Sequence, residues 1–362
     1  MTIASVTAHA LAIPPTDAKI PWFWDAFNQV LVEVRTTDGL VGWGEAFGYG
    51  QPLAVAAMID YTVGPLLLGH DEADIRGLTD TMLRRTHLLG RYGVTTFAIS
   101  GVEIALWDLA GQRAGQPLYR LLGGAASREV PAYASLVRYA DLEQMAEHAA
   151  RAVAEGYEMI KLHQTDVAAV ARGRQAMGDG VALTVDINCE WTPLEAGQMA
   201  EAMDEYDLLW LEEPVWPPED FAGLAEVMAS TGVPLASGEN ACTAHQFKLM
   251  LDAGAVAFAQ PSVTKVGGIG EFLKVATLAE SYNVALAPHS PYFGPGFLAS
   301  LHLLAHTRQA QWIEKLYLEL ETSVFSAPLA FDGTVYTLPD APGLGLDIDR
   351  HVLKEYRMRA EK

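Results

Sequence analysis

Three acidic residues, each at the end of a short β-rich run, have the spacing of a shared metal site. Asp186, Glu212 and Glu239 end such runs, and successive members are 26 and 27 residues apart. One strand and one helix fit in each interval, which places neighbouring strand ends side by side. Three like charges in that arrangement repel one another unless a cation neutralises them. Ligation by carboxylate oxygens alone indicates Mg²⁺, with Mn²⁺ as the alternative, rather than zinc, which prefers nitrogen and sulfur.

Two titratable side chains lie on the β-rich run that precedes the first of these carboxylates. Alternation along a strand sends Lys161 and His163 to one face, toward the predicted metal site. Facing a cluster of negative charge, they fit the roles of a proton-abstracting base and a clamp for a substrate carboxylate. By the same alternation Asn188 shares the face of Asp186, where its amide can hydrogen-bond a ligand or a substrate oxygen.

The elements that position these residues repeat after Arg128 as a β-rich run, a polar turn and an amphipathic helix. Eight such units predict an α/β fold, a (β/α)₈ TIM barrel, whose chemistry lies at the carboxyl ends of the strands. The predicted strands are 130–134, 159–163, 181–187, 208–212, 233–237, 255–260, 284–288 and 311–314.

Two further residues end the last strands of the predicted barrel. His289 follows the seventh strand, so it lies across the barrel from Lys161 and His163, and Glu314 ends the eighth. Titratable groups on two opposite sides of a metal are what removal of a proton from one face and delivery to another require.

The N-terminal part of the chain has a different pattern. Alternating β-rich runs up to about residue 47 predict an antiparallel meander, and helical periods follow up to about residue 122. We predict an α+β capping domain over 1–125, a barrel over 126–322, and a C-terminal segment over 323–362 that returns to the capping domain.

An aromatic cluster over 21–27 lies in a loop between the first two predicted strands. A packed interface and a lid over substrate both remain open for it. On the second interpretation, Trp22 and Trp24 are candidate substrate contacts.

The composition excludes several classes of function. Half of the 362 residues are hydrophobic, and 24 basic against 45 acidic residues leave a net charge of −21. This charge offers no basic footprint for nucleic acid or an anionic membrane, so we expect a small-molecule partner. Two cysteines and an N-terminus without a basic signal region predict a cytoplasmic protein. We also expect a homo-oligomer.

Nine short motifs carry a family resemblance that covers essentially the whole chain. They are Gly42-Trp-Gly-Glu45, Ala105-Leu-Trp-Asp-Leu109, Lys161-Leu-His163, Val185-Asp-Ile-Asn188, Trp210-Leu-Glu-Glu-Pro214, Ser237-Gly-Glu-Asn240, Gln260-Pro-Ser-Val-Thr-Lys-Val-Gly-Gly268, Pro288-His-Ser290 and Trp312-Ile-Glu314. In these motifs the chain resembles the enolase superfamily, in its mandelate racemase subgroup. The resemblance implies a capping domain built from both chain ends over a modified (β/α)₈ barrel. It also implies Mg²⁺-dependent abstraction of the proton α to a carboxylate, through an enediolate.

The resemblance also implies a role for each site residue. The three carboxylates described above match the metal ligands, and Lys161 matches the lysine that contacts the substrate carboxylate. His289 matches the histidine of the opposite face. Glu314 matches the acid that hydrogen-bonds a carboxylate oxygen as the enediolate forms, and residues 17–27 fall in the loop that contributes to substrate specificity.

Two positions depart from the family pattern. His163 stands where a second lysine is usual, and a histidine can be a neutral base at pH 7 without a large pKa shift. Ser262 stands where an aspartate usually orients the opposite histidine. Serine can hydrogen-bond His289 or substrate but cannot stabilise an imidazolium as a carboxylate does, which argues against a symmetric two-base racemase.

These observations lead to three hypotheses. The first is a lyase that dehydrates a 2,3-dihydroxy sugar acid to a 2-keto-3-deoxy acid, with His163 as base and His289 as acid. The second is a racemase, an epimerase or a lactone cycloisomerase that uses the same intermediate. The third, of another class, is a non-catalytic protein that binds Mg²⁺ and a carboxylate.

Overall fold

The chain alternates strands and helices through most of its length. A computed structural model describes residues 1–17, 26–307 and 309–358. Its strands are β1 (Ile3–Ile13), β2 (Phe27–Thr36), β3 (Val41–Ala46), β4 (Glu129–Ser135), β5 (Met159–Leu162), β6 (Ala182–Asp186), β7 (Leu208–Glu212), β8 (Leu235–Ser237), β9 (Phe258–Ala259), β10 (Ala285–Leu286), β11 (Ile313–Leu316) and β12 (Val335–Thr337). Its α-helices are α1 (Pro52–Met58), α2 (Ile75–Arg85), α3 (Val94–Ala114), α4 (Leu118–Leu121), α5 (Leu142–Ala154), α6 (Val167–Met177), α7 (Pro193–Met203), α8 (Phe221–Thr231), α9 (Thr243–Asp252), α10 (Ile269–Ser281), α11 (Pro295–His306) and α12 (Arg350–Glu355).

Eight parallel strands form the curled sheet of the barrel, which confirms the predicted fold class. Their order is β10-β9-β8-β7-β6-β5-β4-β11, and a parallel bridge joins Leu286 to Ala310 between the outer two. Strands β9 and β10 are only two residues long, shorter than predicted. Pro261 and Pro288 follow them closely, and proline has no N–H to continue a ladder. After β11 a longer segment leads to β12, which pairs antiparallel with β4.

The interior of the barrel changes from apolar to polar along each strand. Tyr133, Met159 and Trp210 belong to one buried apolar cluster inside the sheet. Two residues further along the same strands stand Ser135, Lys161 and Glu212, which are also buried. Because side chains two apart share a face, the polar set covers the apolar layer at the carboxyl ends of the strands.

The capping domain packs the antiparallel sheet β1-β2-β3 against α3. Gly42 and Gly44 of β3 allow this close approach, because a Cβ on Gly44 would lie 1.9 Å from the carbonyl oxygen of Gly101. Helix α3 is long and apolar enough by composition to cross a membrane, but 78% of its apolar window is buried. The protein core therefore accounts for the apolar surface of α3.

Two buried carboxylates of the capping domain dock on barrel helices. Glu103 of α3 accepts hydrogen bonds from the backbone N–H groups of Ile269 and Gly270, at 2.7 and 2.9 Å, in the first turn of α10. Glu45 of β3 accepts one from Gly296 at 2.8 Å, in the first turn of α11. Helix N-termini leave such donors unpaired and favour negative charge. Burial nevertheless raises the pKa of Glu103 to about 7 and that of Glu45 to about 8.

The C-terminal segment covers the outer face of the capping sheet. Val352 and Leu353 of α12 pack with Leu11 and Trp43, and the guanidinium of Arg350 pairs with Glu33. These contacts agree with a tail that returns to the first domain, while the domain boundaries at residues 125 and 322 stay a prediction.

Candidate active site

Three carboxylates meet where β6, β7 and β8 end. Ligand oxygens of Asp186, Glu212 and Glu239 all lie within 4.8 Å of one another. Asp186 and Glu212 are the last residues of their strands, whereas Glu239 lies two residues beyond β8. The side chain of Glu239 is 14% exposed, against 1% and 0% for the other two, so Glu239 is the member that opens toward the cavity.

The donor set fits a hard divalent cation. Its donors are carboxylate oxygens, the ligands that Mg²⁺ and Mn²⁺ take in proteins. Burial raises the pKa of Glu212 well above its usual value, so an isolated carboxyl there would hold a proton. Burial also raises the pKa of neighbouring Glu213 to about 8, helped by the charges of Glu239 and Asp186. The ligand oxygens of the three carboxylates lie close enough together for one bound cation to relieve their mutual repulsion.

Lys161 lies among the carboxylates, as strand alternation predicts. Its side chain is 1% exposed, and Nζ is 3.4 Å from Asp186 Oδ2, 3.0 Å from Glu212 Oε1 and 2.7 Å from Glu314 Oε1. Burial alone lowers the pKa of a lysine, but these carboxylates outweigh it and hold the pKa of Lys161 well above its usual value. Lys161 is therefore a permanent cation, suited to a carboxylate ligand and unsuited to proton abstraction.

His163 lines the cavity, and one of its ring nitrogens is hydrogen-bonded to the backbone. Its Nδ1 makes a short hydrogen bond to the carbonyl oxygen of Leu136. A carbonyl only accepts, so Nδ1 carries a hydrogen, and the proton that this ring gains or loses is on Nε2. Nε2 lies 3.2 Å from Asp186 Oδ2. The Arg138 guanidinium donates to the backbone carbonyl of His163 at 3.2 Å and so fixes the residue further.

His289 reaches the carboxylates from the opposite side. Its Nε2 is 3.0 Å from Glu239 Oε2, and its Nδ1 is 3.1 Å from the hydroxyl oxygen of Tyr292. Ser262 is fully buried and makes a short hydrogen bond to the same Tyr292 hydroxyl. Ser262 therefore lies behind Tyr292, where it reaches His289 only through that hydroxyl.

Asn188 and Glu314 both hydrogen-bond to neighbouring residues of the site. The backbone and side-chain N–H groups of Asn188 donate to Asp186 Oδ1 at 2.8 and 2.9 Å. Glu314 accepts from Lys161, from the Ser135 hydroxyl at 2.8 Å and from the Ser290 backbone N–H at 3.1 Å. Burial opposes ionisation of Glu314, but the charge of Lys161 outweighs it and lowers the pKa of Glu314.

A cavity of about 160 Å³ joins these groups to the capping domain. Phe47 and Tyr49, just after β3, form its wall on the capping side. The predicted contacts Trp22 and Trp24 lie outside the described residues. The cavity is lined by Phe47, Tyr49, Ser135, Val137, Arg138, Lys161, His163, Asn188, Glu239, His289, Pro291, Glu314 and Leu316.

Ser135, Lys265 and Tyr49 lie at the site although no sequence pattern predicted them there. Ser135 ends the first barrel strand, so the rule that chemistry lies at strand ends applies to it as well. Lys265 is 3.3 Å from Glu239 Oε1 and lies over the Phe47 ring, 4.6 Å from its centroid. No spacing rule links Lys265 or Tyr49 to the strand ends, because each reaches the site from a loop.

The comparisons with known proteins agree with this architecture. The family model of the mandelate racemase / muconate lactonizing enzyme N-terminal domain matches residues 25–123, and the enolase C-terminal domain-like model matches residues 144–352. The chain belongs to the enolase superfamily. Within it, the chain carries both domains of the mandelate racemase / muconate lactonizing enzyme family.

Relatives in this superfamily are similar along their whole length. An arabinonate dehydratase from Saccharolobus solfataricus is 33% identical over 344 residues, which cover 91% of each chain. A 3,6-anhydro-alpha-L-galactonate cycloisomerase from Streptomyces coelicolor is 35% identical over 89% of this chain and 90% of the relative. The crystal structure of a racemase from Streptomyces coelicolor with bound magnesium is 32% identical, covers 98% of this chain and 100% of its own, and superposes with a TM-score of 0.89.

Proposed function

We propose that this protein is a Mg²⁺-dependent dehydratase of an acid sugar, which converts a 2,3-dihydroxy carboxylate to a 2-keto-3-deoxy acid. The observation that carries the proposal is the placement of His163 and His289 on opposite sides of one carboxylate cluster, each with Nε2 toward it. Removal of an α-proton and protonation of a departing β-hydroxyl need two such groups. The dehydratases among the relatives support the same reaction class.

We assign binding of the substrate carboxylate to Lys161, which lines the cavity. The ammonium group of Lys161 is permanently charged and faces the cavity beside the proposed ligands Asp186, Glu212 and Glu239. Mg²⁺, when bound there, supplies positive charge that stabilises the enediolate oxygen. Glu314 holds Lys161 in place, and it donates a hydrogen bond to the substrate only when protonated.

The proton transfers then follow from the two histidines. Nε2 of His163 takes the α-proton, and the electron pair of the broken C–H bond forms the enediolate. Collapse of the enediolate breaks the bond to the β-oxygen, which leaves as water with the proton from Nε2 of His289. The enol that remains becomes the 2-keto acid by tautomerisation, so the products are one keto acid and one water.

Cycloisomerisation is the second candidate, and the apolar wall of the cavity favours it. Phe47, Val137 and Leu316 line the same cavity as the charged groups, and such apolar surface suits a ring better than an open polyol. Opening a lactone or anhydro ring by elimination uses the same base and the same acid, except that the leaving oxygen stays attached to the product. The cycloisomerases among the relatives agree with this candidate.

The decisive experiment is a substrate screen with two readouts. Purified protein and Mg²⁺ are incubated in D₂O with aldonates, aldarates and their lactones, and NMR follows both 2-keto product and loss of the α-proton signal. Dehydration gives a keto acid with loss of water, whereas cycloisomerisation gives an isomer of the substrate. Deuterium uptake without elimination selects racemisation. No product and no exchange with any acid contradicts an enzymatic function and favours the binding protein.

A matched pair of variants assigns the base. His163→Ala is expected to abolish turnover, since no other described group offers a titratable nitrogen at that position. His306→Ala is the control, because His306 also directs Nδ1 at a backbone carbonyl, that of Gly124 at 3.1 Å, but lies outside the cavity. Unchanged turnover in His163→Ala refutes the role of His163 as the base.

The homo-oligomer and the cytoplasmic location stay predictions.

A further inference from the structure

We propose that Tyr292 is the positioning residue of His289 and takes the place of the carboxylate that position 262 lacks. This inference rests on the proposed function for its kinetic consequence. Its structural basis is a contact between two buried side chains, the Tyr292 hydroxyl and Nδ1 of His289, 3.1 Å apart.

The ring contacts fix the geometry further. The rings of Tyr292 and His289 meet edge to face, with centroids 5.8 Å apart and planes at 77°. With Nδ1 held by Tyr292, rotation of the imidazole is blocked and Nε2 is directed at Glu239, 3.0 Å away. Nε2 is the ring nitrogen that the proposed reaction uses to protonate the leaving oxygen.

A hydroxyl has a property here that a carboxylate lacks. The Tyr292 hydroxyl accepts from a protonated Nδ1 and donates to a bare one, so it holds the ring in either neutral tautomer, whereas a carboxylate holds only a protonated Nδ1. Ser262 bonds the same hydroxyl from behind, and Thr264 Oγ1 lies 3.4 Å from Ser262 Oγ. The hydroxyl therefore has a partner on its far side in either orientation.

The capping domain anchors the loop that carries Tyr292. The hydroxyl of Tyr49 donates to the carbonyl oxygen of Pro291, and the ring of Phe27 packs edge to face on Phe293, with centroids 4.8 Å apart. Residues on both sides of Tyr292 are thus held by the capping domain. Docking of that domain positions the proton donor as well as the cavity wall.

The kinetic test compares elimination with exchange in Tyr292→Phe. A loosened His289 slows protonation of the leaving oxygen, while His163 still removes the α-proton, so the intermediate returns and takes up deuterium. We expect product formation to fall by about 10- to 100-fold and α-deuterium uptake per product to rise. Ser262→Ala is expected to change both in the same direction by less, and it tests the proposal if Tyr292→Phe fails to fold.

Tyr139→Phe is the matched control, because the Tyr139 hydroxyl also meets a histidine Nδ1, that of His148 at 2.5 Å, outside the cavity. It is expected to leave the ratio of exchange to product unchanged. If Tyr292→Phe lowers exchange and product by one common factor, or changes neither, the positioning role is refuted.

An NMR readout tests the contact without any turnover. In protein labelled with ¹⁵N at histidine, the Nδ1 signal of His289, assigned with His289→Asn, is expected to move in Tyr292→Phe and to stay in place in Tyr139→Phe. An unmoved signal overturns the proposal even if the enzyme is active. A moved signal in a protein that acts on no acid keeps the contact and rejects the proposed function instead.

Discussion

The contact between β3 and α3 predicts a large effect from one added methyl group. In Gly44→Ala the new Cβ would lie 1.9 Å from the carbonyl oxygen of Gly101 and 2.8 Å from the backbone nitrogen of Ala105, whereas ordinary contact begins at 3.4 Å. Both opposing atoms belong to the backbone of α3, so no side chain can turn away. The helix and the strand must therefore separate by about 1.5 Å.

The size of the effect follows from this displacement. Overpacking of a core costs typically 1–3 kcal/mol, and a backbone clash places Gly44→Ala at the upper end, about 3 kcal/mol of unfolding free energy. Activity should suffer as well, because β3 leads into Phe47 and Tyr49 of the cavity wall. A misplacement of roughly 1 Å at a reacting group costs about 100-fold in rate, so we expect a loss of that order in kcat/KM.

The assay is urea unfolding followed by tryptophan fluorescence, together with kcat/KM on the best substrate from the screen. Gly197→Ala is the control, since Gly197 lies within α7 and a Cβ there meets nothing within 4 Å. Alanine in a helix should stabilise that variant by about 0.5–1 kcal/mol. If Gly44→Ala unfolds within about 0.5 kcal/mol of the natural protein and keeps its kcat/KM, the packing argument is refuted.

Three further predictions concern charge. Removal of divalent ions should lower the thermal midpoint of unfolding, and Mg²⁺ at about 100 times its Kd should raise the free energy of unfolding by roughly 2.7 kcal/mol. In Glu239→Gln, calorimetry should show little stabilisation by Mg²⁺. Lys161→Met should destabilise the metal-free protein by about 3–5 kcal/mol, because it leaves buried carboxylates uncompensated, and equal urea midpoints would contradict this. Burial raises the pKa of Glu103 to about 7, above its value in the unfolded chain, so the ionised form is disfavoured on folding. Relative to Glu103→Gln, the natural protein should lose stability as the pH rises from 5 to 8, by up to about 3 kcal/mol; parallel pH curves would refute it.

The barrel and its carboxylates were predictable because they depend on local periodicity. One strand and one helix per interval is a rule that counts residues, and it brought Asp186, Glu212 and Glu239 to one edge without any knowledge of packing. Strand alternation likewise placed Lys161 and His163 on the inner face. For such motifs the spacing in the sequence is enough to predict which side chains lie together.

The contacts that refine the site depend on approaches that no spacing encodes. Tyr49 reaches Pro291 from another domain, 242 residues away in the sequence. Ser262 was expected at His289 or at the substrate, but the Tyr292 hydroxyl lies between Ser262 and His289. Packing alone decides which of the two hydroxyls contacts the imidazole. Strands β9 and β10 are shorter than predicted for a different reason, because Pro261 and Pro288 follow them and proline cannot continue a ladder.

The tail that covers the capping sheet has a consequence for biosynthesis. Arg350 and Glu33, which pair across that sheet, are 317 residues apart, so the sheet leaves the ribosome long before its cover exists. Until α12 emerges, Val352 and Leu353 do not cover the apolar face that includes Leu11 and Trp43. Non-local contacts of this kind slow folding and expose nascent chains to aggregation. A stop codon before α12 would therefore leave a complete barrel beneath a cap whose apolar face lacks the cover from Val352 and Leu353.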